Sequence, residues 1–221
     1  MRLSAVLEKG SEERRAQMDY ASAMTSAFRP LESDGHINAV LAEAGTGVGK
    51  TLGYLSPASV WAQKNKGSVW VSTYTKNLQR QIGQELGKIF PDPDLKDAKV
   101  ATRKGRENYL CLLNFEDYAA GASLAKNPRT PIALGIMARW IAATRDGDIS
   151  SGDFPGWLSG ILGFAHSTGL ADRRGECIYS ACDHYHRCFV ERSIRKARHA
   201  DIVIANHALV MIQTADSGVD S

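Results

Sequence analysis

Apolar residues along this chain follow two rhythms, and their alternation predicts the architecture. Short dense runs occur at Ile37 to Ala42, Val69-Trp70-Val71-Ser72-Thr73, Lys99-Val100-Ala101-Thr102 and Asp201-Ile202-Val203-Ile204-Ala205. Runs this short, rich in β-branched residues, predict buried strands. Between them the apolar positions take helical spacing. Met18, Ala21, Met24 and Phe28 share one face of a helix that Ser11 caps, that Glu12 and Glu13 favour in its first turn, and that Pro30 ends. A second helix runs from Gly49 to about Lys64, kinked at Pro57, which has no backbone N–H to give. A third starts at the cap Thr75 and runs to about Phe90, before a loop at Pro91-Asp92-Pro93-Asp94. Strand–helix alternation of this kind predicts an α/β fold, a parallel sheet with helices on both faces.

From Arg103 to about Arg198 the strand rhythm stops. The pattern there predicts helices over Glu107 to Ala119, Pro131 to Arg145, Pro155 to His166 and Phe189 to His199, with a loop at Gly147 to Asp153. The strand at Asp201 to Ala205 then resumes the sheet, and Asn206-His207 leads into a short apolar helix. The organisation is therefore an α/β unit of residues 1–102 and 199–221, interrupted by a mainly helical insertion of residues 103–198.

Composition adds limits. The chain has 221 residues, 43% hydrophobic and 23% charged, enough apolar material for a core. The net charge is +3, unevenly placed: residues 103–198 carry 14 Lys+Arg against 10 Asp+Glu, hence +4, and the remainder 13 against 14, hence −1. A polyanionic partner would meet the insertion first. No secretory signal and no 18-residue apolar stretch is visible, so no membrane span is expected and a cytoplasmic location is the default. In a reducing compartment the four cysteines point to metal or cluster ligation before disulfides.

The most specific chemistry lies between the first strand and the second helix. Glu43-Ala44-Gly45-Thr46-Gly47-Val48-Gly49-Lys50-Thr51 fits the phosphate-binding pattern G-x-x-x-x-G-K-[ST], with Ala44 in the place of the first glycine. Three glycines let successive N–H groups turn inward at a helix N-terminus. Lys50 then reaches the β- and γ-phosphates, and the Thr51 hydroxyl ligates Mg²⁺. Gln17, upstream, is either a solvated helix residue or a reader of adenine, whose N6/N7 edge an amide matches. Cys111 stands apart from Cys177, Cys182 and Cys188, spaced C-x₄-C-x₅-C. Four thiolates suit zinc or a [4Fe–4S] cluster. Zinc sites usually carry a C-x₂₋₄-C pair, and no C-x-x-C occurs, so the spacing leans to the cluster; His184 and His186 are alternative zinc ligands.

Together these motifs resemble the first part of the DinG/XPD-like iron–sulfur helicases of superfamily 2, most closely the bacterial DinG branch. The loop matches that family's motif I, and Arg14-Arg15-Ala16-Gln17-Met18 its Q motif, which makes Gln17 an adenine reader. Ser72 to Gln81 resembles motif Ia, Lys104-Gly105-Arg106-Glu107-Asn108-Tyr109-Leu110-Cys111 leads into the cluster, and Ala200 to Leu209 resembles the strand that follows it. The resemblance implies a RecA-like motor domain in residues 1–102 and 199–221 and a [4Fe–4S] domain in residues 103–198. It implies ATP and Mg²⁺ at Gln17 and at Ala44, Gly45, Thr46, Gly47, Val48, Gly49, Lys50 and Thr51. It implies cluster ligation by Cys111, Cys177, Cys182 and Cys188, and 5′→3′ movement on single-stranded or forked DNA, R-loops included, in repair or replication. DNA contacts are expected from Thr73, Thr75, Lys76, Gln79, Lys104 and Arg106, with further basic residues at Arg103, Arg187, Arg192, Arg195 and Arg198. Tyr109, Tyr179, Tyr185 and Phe189 are expected to stack bases. The family's Asp-Glu-x-His box is missing, since no Asp-Glu dipeptide occurs, and so is a second motor domain. The chain is thus expected to hold ATP without turning it over. Two other readings fit the residues: a P-loop ATPase with a zinc-stabilised insertion, and a non-catalytic DNA-binding or adaptor module.

Overall fold

A computed structural model describes residues 15–121 (apart from 32 and 34), 129–150, 153, 154, 156, 169–172 and 175–216, with side chains to residue 212. The chain divides into two compact units. One comprises the residues up to Arg103 and those from Lys196 onward; the other comprises Lys104 to Arg195.

The first unit is built on a three-stranded parallel sheet in the order β1-β3-β2, with β1 at Val69–Thr73, β2 at Val100–Arg103 and β3 at Ile202–Asn206. The middle strand is the last in sequence. Its side chains alternate between two apolar surfaces, as pleating requires. Ile202 and Ile204 join Val71, Leu55, Ile82 and Leu86 in one cluster, while Val203 meets Ala101, Ala197 and Ala200 in another. Burial on both sides explains why this strand reads as an unbroken apolar run rather than an alternating one. Three helices supply most of the first cluster: α1 (Arg15–Met24, extended by a 3₁₀ turn over Thr25–Phe28), α2 (Lys50–Asn65) and α3 (Lys76–Ile89). The cap expected at Thr75 forms, its hydroxyl oxygen accepting from the Leu78 N–H at 3.1 Å. At the end of β3, Asn206 Oδ1 accepts from the Leu209 N–H at 2.8 Å and starts α8 (His207–Asp216).

Two expectations need correction here. Ile37 to Ala42 is not a strand: it forms no ladder, and Ile37 and Leu41 are 86% and 104% exposed. An apolar run becomes a strand only when a sheet edge receives its backbone groups, and no described strand lies beside this one. The loop placed at Pro91 to Asp94 is instead the start of α4 (Pro93–Lys99), with Asp92 Oδ1 accepting from the Asp94 N–H at 2.9 Å and Pro93 in the first turn.

In the second unit, the helix expected from Glu107 to Ala119 is broken. A 3₁₀ turn at Arg106–Asn108 precedes α5 (Leu112–Ala120). The intervening backbone is committed elsewhere: Ile149 N–H donates to Asn108, Leu110 N–H to Gly147, Asp172 N–H to Tyr109 and Cys111 N–H to Leu170, at 2.7–3.2 Å. Residues 108–111 thus run extended between two other segments, joined by single antiparallel bridges. Around them Tyr109, Leu110, Met137, Ile149, Leu170, Phe189 and Val190 form the unit's core. Met137 comes from α6 (Arg129–Ala143); Phe189 and Val190 come from α7 (Phe189–His199). The helix expected over Pro155 to His166 lies almost entirely outside the described residues.

Candidate functional site

The glycine-rich loop reaches α2 through two left-handed residues, Gly47 at φ 82° and Gly49 at φ 80°. A side chain at either would be strained. At Gly49 it would also collide: an added Cβ would lie 2.3 Å from Gln17 Nε2. That close approach has a purpose, because Gln17 Nε2 donates to the Gly49 carbonyl at 2.9 Å. The same carbonyl accepts the first helical bond of α2, from the Gly53 N–H at 3.1 Å. Gln17, 3% exposed, is therefore a buried clamp on the loop rather than a solvated helix residue. Lys50 opens α2, and its ammonium folds back to donate to the Ala44 and Gly45 carbonyls at 2.7 and 2.9 Å. The Thr51 side chain hydrogen-bonds Tyr54, whose hydroxyl pKa is raised by burial against the lowering effect of that bond. Gly45, Thr46 and Gly47 remain exposed above the helix N-terminus. The positive end of a 16-residue helix and a tethered ammonium beside an exposed glycine-rich loop make an arrangement suited to polyphosphate.

The candidate DNA residues separate into three settings. Thr75 and Lys76 are exposed at the start of α3. Thr73 and Gln79 are buried: Thr73 Oγ1 donates to the Ala205 carbonyl at 3.2 Å, and Gln79 Oε1 is enclosed without a hydrogen-bond partner. Lys104 and Arg106 are held by carboxylates of their own unit. Lys104 pairs with Asp148, and Arg106 with Asp172 at 2.6 Å and Glu191 at 3.7 Å, with its guanidinium 5.0 Å over the Tyr179 ring. Burial acts to lower the Arg106 pKa, but the Asp172 hydrogen bond and charge, with Cys177 and Tyr179, together outweigh it and the net shift is upward. Among the expected stacking residues, Tyr109 and Phe189 are core, whereas Tyr179 is 57% exposed. A contact that sequence reasoning passed over joins the strand ends: Ser72 Oγ hydrogen-bonds His207 Nδ1, with the Tyr74 and His207 rings 6.1 Å apart.

All four cysteines are half-buried free thiols. Burial raises the Cys111 pKa, against backbone hydrogen bonds from Asn114 and Leu113, with Asp172 and Cys188 raising it further. Burial likewise raises Cys188, helped by Glu191 and Cys177. Cys111, Cys188 and Cys177 therefore feel one another in sequence, beside the Arg106–Asp172 pair. Cys182 lies a turn away, its N–H donating to the Tyr179 carbonyl at 3.0 Å. Among the described residues no group of three or more His, Cys, Asp or Glu stands close enough to hold a metal ion. The donors fit a thiolate-liganded centre in kind, though they are not gathered around one. Among the described residues no helix is long and apolar enough to cross a membrane.

No protein-family model matches the chain. Individual relatives do. The chain is 35% identical over 205 residues to the ATP-dependent DNA helicase YoaA of Escherichia coli, covering 91% of this chain and 29% of the relative. It is 32% identical over 235 residues to the ATP-dependent helicase DinG of Mycobacterium tuberculosis, covering 97% and 33%. It is 32% identical over 212 residues to a Bacillus subtilis protein named 3′-5′ exonuclease DinG, covering 93% and 20%. The chain thus spans a third or less of the length of these relatives, and their differing names show that activity does not follow from the shared stretch alone. Over nearly its whole length, then, the chain is similar to one part of proteins named DinG and YoaA.

Proposed function

We propose that this chain is the nucleotide-holding part of an ATP-dependent DNA helicase. The observation that carries the reading is the meeting of Gly49, Gln17 and Lys50 at the N-terminus of α2. The loop N–H groups and Lys50 bind the β- and γ-phosphates, with Lys50 leaving the Ala44 and Gly45 carbonyls to do so. Thr51 ligates Mg²⁺. Gln17 Oε1 accepts from the adenine amino group while Nε2 stays on Gly49. DNA phosphates meet Thr75 and Lys76, where an exposed cation and a helix N-terminus coincide. Lys104 and Arg106 act differently: a phosphate would have to displace Asp148 or Asp172, so these residues fix the second unit in shape. The parent protein moves 5′→3′ on single-stranded or forked DNA. This chain, without an Asp-Glu pair to orient water, binds ATP and does not hydrolyse it.

Cys111, Cys177, Cys182 and Cys188 would hold a [4Fe–4S] cluster, which when bound ties the bridged segment of Cys111 to the turns of residues 177–188. The absorbance of anaerobically purified protein separates the two metals: a charge-transfer band means iron–sulfur, and a colourless protein with one zinc means the alternative.

The test of the nucleotide site is titration with a fluorescent ATP analogue and Mg²⁺. Lys50→Ala is expected to weaken binding about 10- to 100-fold, the range of a charge-assisted phosphate contact. Equal affinity in the variant would overturn the assignment. ATP turnover lost in the same variant would overturn the claim of inactivity.

A further inference from the structure

β1 and β3 run parallel and in register, with Thr73 beside Asn206, so both leave the sheet at one edge. There the turn of residues 74–76 carries the chain into α3. Burial does little to hold it: Tyr74 is 83% exposed, and Thr75 and Lys76 lie on the surface. The Thr75 cap is local, reaching three residues along the same helix. Ties to the rest of the unit come from the exit of β3. Thr73 Oγ1 donates to the Ala205 carbonyl at 3.2 Å. His207 adds two more. Its Nδ1 hydrogen-bonds Ser72 Oγ across 135 positions of sequence, and its ring lies 6.1 Å from that of Tyr74, tilted by 39°. His207 is itself well placed to act as an anchor, because the preceding Asn206 accepts from the Leu209 N–H and fixes the first turn of α8. A side chain that grips the residue before Thr73 and the ring after it sets where the turn, and Lys76 with it, stands.

We propose that His207 is a positioning residue for DNA binding: through Ser72 and Tyr74 it holds the turn that presents Lys76 to a DNA phosphate, a role that rests on the reading of Lys76 as a phosphate contact. His207 touches no phosphate in this role. One exposed hydrogen bond and one ring contact add little to stability. Their effect is on geometry: without them the turn keeps its cap and its strand but samples more positions, and the phosphate contact then has to order it on binding.

The experiment titrates a labelled oligothymidine of about 12 nucleotides with the 221-residue chain, read by fluorescence anisotropy, alongside amide hydrogen exchange over residues 74–79. Lys76→Ala should weaken binding about fivefold and lower the slope of log affinity against log salt by about 0.7, the loss of one single-strand phosphate contact. His207→Ala and Ser72→Ala should each weaken binding about threefold and speed the exchange. His207→Asn, whose amide can keep the bond to Ser72, should recover most of the affinity. In the Lys76→Ala background, His207→Ala should lose most of its effect, since it acts through that residue. Binding weakened by Lys76→Ala but not by His207→Ala would overturn this role alone. So would a His207 effect that persists in full without Lys76, which would make His207 a DNA contact in its own right, or one that Asn does not recover. Exchange unchanged in His207→Ala would overturn it whatever the DNA result. Binding indifferent to Lys76→Ala would overturn the phosphate reading and this role with it.

Discussion

The loop at Gly45 to Thr51 and the cysteines of the second unit are both sites legible as motifs, yet the fold treats them differently. The loop is finished by the chain itself. Its described parts are two left-handed glycines, a helix N-terminus and the Gln17 clamp on Gly49. The cysteines are not so arranged: three thiols are in electrostatic reach, and among the described residues no group of three or more candidate ligands stands close enough to hold a metal ion. A loop of this kind is preorganised because peptide geometry makes it. A metal centre is closed by the metal, whose binding energy is folding energy.

The sharpest way to break this contrast is to remove a ligand. If the four cysteines hold the proposed metal centre, Cys111→Ser should cost the second unit on the order of 5 kcal/mol or more. Limited proteolysis should then cut freely within residues 104–195 while the first unit stays resistant; intact protection would show that the unit needs no centre. Next comes Leu86→Ala, which empties a fully buried position in the first unit's core. About 2–5 kcal/mol should be lost from that unit, and a calorimetric scan in which its transition does not move would contradict this. A paired comparison follows. Gly49→Ala should cost about 1–3 kcal/mol, because φ is 80° and the new Cβ meets Gln17, whereas Gly45→Ala, in open space without positive φ, should be near neutral. Equal effects in urea melts would mean that the clamp is not built as described.

The smallest effect concerns Asp146, whose pKa is raised by burial, against a backbone hydrogen bond from Asp148, with the Asp148 and Asp153 carboxylates adding to the rise. A raised carboxyl keeps its proton longer in the fold than in the unfolded chain, so its stability contribution is full below the unfolded value of 3.8 and is lost as pH rises through the folded value. Asp146→Asn should therefore raise the melting temperature by about 2 °C at neutral pH, after allowance for partial exposure, and the gain should vanish below about pH 4. A gain that persists in acid would assign it to packing instead.

Much of the first unit was legible because local and global signals agree there. β1 and β3 are buried runs, Thr75 caps α3, and the loop's glycines sit where positive φ is needed. Ile37 to Ala42 misled because an apolar run carries no record of what lies beside it. The break at residues 108–111 was invisible for a related reason: the partners of that backbone lie near residues 147–149 and 170–172. At the DNA candidates, residue type could not tell an exposed Lys76 from a Lys104 paired with Asp148. The Gln17 clamp had a signal, a Gln on the helix before a glycine-rich loop, but its bond to Gly49 spans 32 residues and no local pattern records it.

The sheet order β1-β3-β2 bears on how this protein is made. The strand that separates and joins β1 and β2 spans residues 202–206, about a hundred residues after β2 ends. During synthesis both outer strands, and the helices α2 and α3 that cover them, leave the ribosome with no middle strand to pair with, and the intervening unit must emerge before β3 arrives. Closing a loop of that length adds little to the equilibrium cost but delays the productive pairing. Until then two strands present open edges, the exposure that recruits other chains. Early collapse of the intervening unit, shortening the span that β3 must cross, is thus the event on which a clean yield of folded protein turns.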